Sequence, residues 1–176
     1  MSDLSLAEEN NGTNLRNFMA HRGAIIVKEM RNIGKFAAEY NNQLEIETLI
    51  LRMVRDKKDN VVYGVVLKHI DENGRDEAAV NLDFDEVDEL VSAIDFIKKT
   101  SSELLGTPRD YTEVIYATKD NARIGFFQNL GSQTAFISLS THSSIFLNIF
   151  KIGDIQDLLR KAKNHLVSSG AEVVRA

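Results

Sequence analysis

The sequence predicts an α+β fold with an internal duplication: an antiparallel sheet of three to four strands followed by one amphipathic helix, occurring twice, for about eight strands and two helices in total. Three observations carry this reading. Short runs rich in β-branched residues alternate with turn residues along the chain. Two segments place apolar residues at steps of three and four, the period of a helix with one buried face. Two stretches also recur in the same order: Lys58–Val66 (KDNVVYGVV) matches Lys119–Phe127 (KDNARIGFF), and Phe84–Val91 matches Ile152–Leu159. The offsets are 61 and 68 residues, so the second half is expected to hold about seven extra residues, enough for an additional strand over Ser144–Phe150.

The elements follow in order. Residues 1–20 read as a flexible leader, because Asn10, Asn11, Gly12 and Asn14 break a helix and only Leu15, Phe18 and Met19 can anchor a turn. A first repeat over 21–105 opens with Ile25, Ile26 and Val27, a strand that runs toward Phe36 with a bend at Gly34. Leu44–Val54 and Val61–Ile70 form a hairpin around Asp56–Asn60, and Asn73-Gly74 turns the chain into a strand over Glu77–Phe84. Val87, Leu90, Val91, Ile94 and Ile97 then line one helix face. Asp85 is its expected N-cap, with Lys98 and Lys99 at the opposite end of the helix dipole. Gly106 and Pro108 mark the joint to a second repeat over 106–170. There the strands are 111–118, 122–129, 133–140 and 144–150, and Ile155, Leu158, Leu159, Ala162 and Leu166 stripe a last helix that Gly170 ends. Each helix is expected to bury its stripe on its own sheet. The glycine common to the matched strands, Gly64 and Gly125, points to a bulge or a close crossing by a helix, or else to a place where a ligand's backbone lies on the sheet.

Composition bounds the function. Hydrophobic residues make up 43% and charged residues 27% of 176, an ordinary globular balance. Cysteine is absent, which excludes disulfides, thiolate metal sites and cysteine nucleophiles and fits a reducing, cytoplasmic setting. The net charge of −5 argues against a dedicated duplex-DNA or anionic-membrane binder. Residues 1–17 are polar and acidic, unlike a signal peptide, and no apolar window is long enough for a membrane span. The charge is unevenly spread: residues 1–105 carry 13 basic and 20 acidic side chains, residues 106–176 carry 8 and 6. Opposite signs on the two helices either steer an asymmetric association or reflect drift on two solvated faces.

Chemistry-bearing motifs are few. His21, His69, His142 and His165 stand in no metal-ligand spacing, and His165, near an apolar helical stripe, reads as structural. Asp83, Asp85, Glu86, Asp88 and Glu89 suit helix capping and dipole complementarity better than a metal site. Asp71–Glu77 fails as a calcium loop, because counting back from Gly74 puts His69 at the first ligand position. There is no Gly-x-Ser-x-Gly elbow, Walker loop or Gly-x-Gly-x-x-Gly. No cofactor, metal or enzymatic activity is expected; an enzyme would need a pocket where, for example, His142 meets an acidic neighbour.

As topology alone, the strand-strand-strand-strand-helix organisation of residues 44–166 resembles the repeats of the PUR and Whirly groups of single-stranded nucleic-acid binders, with no residue signature of either group. The leading expectation is a non-enzymatic interaction or structural module that associates with itself or a protein partner through exposed sheet edges. The alternative is single-stranded nucleic-acid binding. Its candidate contacts are Arg22, Lys28, Arg31 and Lys35 near the N-terminal strand, and Arg123 beside Phe126 and Phe127. Those two rings point to opposite faces of a regular strand, so at least one belongs to the core.

Overall fold

Alternating side chains on eight strands produce two antiparallel four-stranded sheets, each followed by a long helix. The computed structural model describes residues 12–54, 60–107 and 109–172. A short helix α1 (Asn14–Met19) precedes β1 (Ile25–Ala37), β2 (Gln43–Val54), β3 (Asn60–Ile70), β4 (Asp76–Asp83) and helix α2 (Phe84–Leu104). The second repeat is β5 (Tyr111–Ala117), β6 (Arg123–Asn129), β7 (Ser132–Ser140), β8 (Ser143–Leu147) and helix α3 (Ile152–Ser168). Spatial order equals chain order in both sheets. The duplicated sheet-plus-helix plan is therefore present, with four strands in each copy. Among the described residues no helix is long and apolar enough to cross a membrane.

Several details differ from the sequence reading. The turn expected at Asp56–Asn60 lies, except for Asn60, outside the described residues, as does Pro108. The Lys-Asp-Asn match does not mark equivalent hairpins: Asn60–Val66 belongs to β3, whereas Arg123–Phe127 belongs to β6, the second strand of its sheet. The difference in offset is that slip of one hairpin and not an extra strand. The helix match is in step, since Phe84 and Ile152 open α2 and α3. The strand expected over 144–150 stops at Leu147, where the Asn148 side chain accepts from the Phe150 N–H and starts a 3-10 turn. The leader expected over residues 1–20 contains a capped helix: Thr13 accepts from the Arg16 N–H, and Leu15 and Phe18 are buried.

The packing of the helices is exchanged. α2 lies on β5 and β6 as well as β3 and β4, while α3 lies on β1 and β2 of the first sheet, and the two helices pack against each other. The physical reason is width. Four strands about 4.8 Å apart present an apolar face wider than a single helix of about 10 Å covers. The sheets meet where β3 and β4 approach β7 and β8, and the helix pair fills the space toward β1 and β5. One continuous core results, joining Leu44, Ile46, Val65 and Leu82 to Ile94, Phe126, Ile137 and Leu159. The opposite charges of the two helices meet where α2 and α3 pack: Lys163 pairs with the exposed Asp88 and lies 5.5 Å over the Phe84 ring, and Gln156 donates to Asp95 and the Val91 carbonyl at 2.8 Å.

His69, which the sequence does not single out, joins the repeats at the other end. It is buried at the end of β3, with Nε2 2.7 Å from Asn42 Oδ1 and Nδ1 2.6 Å from the Ser143 hydroxyl at the start of β8. The Asn42 amide nitrogen is committed to the Glu39 and Tyr40 carbonyls, so its oxygen faces the ring and Nε2 carries the proton. Nδ1 then accepts from Ser143, and the ring is neutral. Burial pulls its pKa below the ordinary histidine value, with the Glu77 and Asp71 carboxylates opposing but not cancelling the shift. A depressed histidine pKa means the unfolded chain binds the proton first, so stability is lost as pH falls below about 6.5. Urea midpoints measured from pH 7.5 downward are expected to fall in the wild type and to fall less steeply in His69→Gln. Identical slopes for the two proteins would contradict this role.

Candidate functional site

The two sheets turn unlike outer faces to solvent. On the first, α1 covers Leu49, Leu51, Met53 and Val66 in a second, smaller core. A Cβ at Gly64 would meet Leu15 Cδ1 at 2.2 Å, so this glycine makes room for the helix. The remainder of that face is taken up by ion pairs, Lys35 with Glu45 at 3.2 Å and Lys68 with Glu47 at 2.9 Å. No counterpart of α1 covers the second sheet among the described residues.

That uncovered face is aromatic with a basic end. The strand register puts Ile115, Gly125, Phe136 and Phe146 in one line across the sheet, while Val114, Phe126, Ala135 and Leu147 form the alternate line toward the core. Phe126 is fully buried and Phe127 is half-buried on the open face, as opposite parity requires. Tyr111, Phe127 and Phe136 form a stacked series, with centroids 6.4 and 6.3 Å apart at interplanar angles of 20° and 29°. Phe136 is the buried floor; Tyr111 and Phe146 are exposed beside it. A Cβ at Gly125 would strike the Val114 carbonyl oxygen of β5 at 1.8 Å, so that glycine lets adjacent strands approach.

One pleat step away, about 7 Å along the strands, the next line is Ala117, Arg123, Ser138 and Ser144. Arg123 is exposed and makes no ion pair among the described residues. With Asn121, Ser140, Thr141 and the Ser138–Ser144 hydroxyl pair at 2.7 Å, it lines a cavity of about 710 Å³. A guanidinium and several hydroxyls around an open cavity suit an oxyanion, and stacked rings beside it suit planar groups. No family model matches the chain, and no curated protein matches it in sequence. The face is thus read from its own chemistry.

The other candidate cations are elsewhere. Arg22 is exposed between α1 and β1; Lys28 and Lys35 are on the outer face of the first sheet; Arg31 is on the α3 side, with Nη1 3.4 Å from His165 Nδ1. The structure does not bring them to Arg123. Sequence parity identifies Phe127, and the Ser132, Thr134, Phe136, Ser138, Ser140 alternation of β7 carries the signal for the rest of the face. The stacking with Tyr111 depends on register across three strands, which one strand's pattern does not contain.

The acidic cluster is structural. Asp83, and not Asp85, is the N-cap of α2, because helix follows strand with no intervening loop; Glu86 reaches back to the Asp83 N–H at 3.0 Å. The Asp83 carboxylate accepts from Asn14 and Leu15 of α1 at 2.8 and 3.1 Å. Glu86 also accepts from the Lys119 N–H at 2.9 Å, and Asp120 from the Asn81 N–H at 2.9 Å and Arg16 Nε at 2.6 Å. Among the described residues no group of three or more acidic or histidine side chains can hold a metal ion. His142 is exposed in the β7–β8 turn, its N–H on the Ser140 hydroxyl, without an acidic partner among the described residues. Asp83→Ala is expected to lower stability by about 2 kcal/mol, through the lost cap and the unsatisfied buried Leu15 N–H. Thermal melts with added Mg²⁺ or Ca²⁺ should not move the wild-type midpoint; a clear upward shift would reassign the cluster as a metal site.

Proposed function

We propose that this protein is a non-enzymatic binding module that holds single-stranded nucleic acid on the open face of its second sheet. The observation that carries the reading is the stacked Tyr111–Phe127–Phe136 series with Phe146 beside it, one pleat step from Arg123 and its hydroxyl-lined cavity. Single strands are held by rings that stack on bases and by cations that meet phosphates, and duplexes offer no free base faces to stack on. The net acidity of the chain resides in residues 1–105, while residues 106–176, which include this face, carry a small excess of base. Glu113, directly across from Phe127 on β5, is the one acidic strand residue of this sheet, two pleat steps from Arg123. The absence of cysteine and the acidic balance suit a cytoplasmic setting.

Fluorescence anisotropy with labelled single-stranded DNA and RNA tests this directly. Binding is expected to weaken steeply with salt, as counterion release requires. Phe127→Ala is expected to weaken it by about tenfold or more, the loss of one base stack. Arg123→Glu should weaken it and flatten the salt dependence, with unfolding midpoints unchanged because Arg123 is exposed and has no ion-pair partner among the described residues. Absence of binding at low salt would sink the nucleic-acid reading and leave the face to a protein partner.

A further inference from the structure

We propose that copies of this chain associate head to tail, the free edge of β1 in one copy pairing with the free edge of β5 in the next. Both strands are the first of their repeat and end their sheets, and no described segment pairs with the outer edge of either. The other two edges, β4 and β8, lie toward the opposite repeat, where β4 meets β7 and β8 meets the 3-10 turn at Glu39–Asn41. An unpaired edge of 13 residues, the length of β1, is a ready template for another strand.

The two edges carry complementary surfaces. Ile25, Val27 and Met30 of β1 are exposed, Ile25 by 70%. Alongside β5, a groove of about 650 Å³ runs between it and α2, floored by Ala93, Ile97 and Val114, with Phe96 exposed by 66% and Ile115 by 44% at its rim. Apolar side chains from a second copy's β1 have a place to be buried there. Charge selects the pairing: with Lys35 held by Glu45, β1 bears Lys28 and Arg31 against Glu29, whereas Glu89 lines the groove and Glu113 stands on β5. Pairing β5 with another β5 would oppose like charges and pairing β1 with another β1 would do the same, so unlike edges meet. Such a heterologous contact leaves one free edge at each end and builds rings or open chains, not a single symmetric dimer.

Light scattering coupled to size-exclusion chromatography, run on the full chain across a concentration series, is the test. The wild type is expected to form concentration-dependent species. The double variant Lys28→Glu, Arg31→Glu and the single variant Glu113→Lys are each expected to raise the dissociation constant at least about tenfold, because each sets like charges opposite each other. Mixed in equal amounts, the two variants should associate again, since each reversed edge then faces its opposite; recovery on mixing also shows that both are folded. A monomeric wild type at every concentration, a Glu113→Lys variant that associates like the wild type, or no recovery on mixing overturns the proposal. Arg123→Glu should leave association unaffected, so the failure of nucleic-acid binding and the failure of this contact are read separately.

Discussion

An apolar sheet face four strands wide cannot be sealed by the one helix that its own repeat supplies, and most of the architecture answers that mismatch. With α3 laid on β1 and β2, and α2 reaching β5 and β6, each sheet borrows cover from the other repeat. The repeats then share one core and cannot separate without exposing both faces. Their opposite helix charges serve the same end. Lys163 on α3 meets Asp88 and the Phe84 ring on α2, and Gln156 satisfies Asp95 and a helix carbonyl.

Polar groups at both ends of this shared core fix the relative position of the repeats. At one end, Asp83 and Glu86 accept from α1 and the β5–β6 turn, and Asp120 returns to Asn81 of β4 and to Arg16. At the other, His69 lies between Asn42 and Ser143. Near the C-terminus of α2, Ser101, Gln133 and buried Gln128 form a third chain that ends on the Leu104 and Thr107 carbonyls. Buried polar groups of this kind are costly when unpaired, so each network favours a single packing of the two halves. In the acidic cluster, Asp83 and Glu86 are occupied by backbone N–H donors, and Asp85 and Asp88 face the Lys119 and Lys163 ammoniums.

Strand and helix positions were legible because periodicities of 2 and 3.6 are local properties. Ile25–Val27, Val61–Leu67 and the Val87–Ile97 stripe declare themselves within a few residues. What depended on distant partners was not. The stretch around Asn14 reads as frayed in isolation, and its helix is held by Asp83, about seventy residues away. The Lys-Asp-Asn repeat suggested equivalent hairpins, yet turn residues recur wherever two strands need a tight reversal, so the match reports turn chemistry and not ancestry. The parity of Phe127 placed one ring on the open face; the line of rings it joins required the register of β5, β6 and β7.

The repeated plan gives this chain two sheets with comparable inner faces and unlike outer faces. Leu15 and Phe18 of α1 fold over the first sheet, on which Gly64 leaves space for them, and charge pairs occupy the rest. The second sheet keeps its aromatic residues on the outside, where burial cannot account for Tyr111 and Phe146, and keeps an arginine with no acidic partner among the described residues. Rings left this exposed gain little from burial, and hydrophobic patches on a surface carry a solubility penalty. Under the proposed function, rings left open on one face, while the equivalent face is sealed by the chain's own helix, serve a ligand and not the fold.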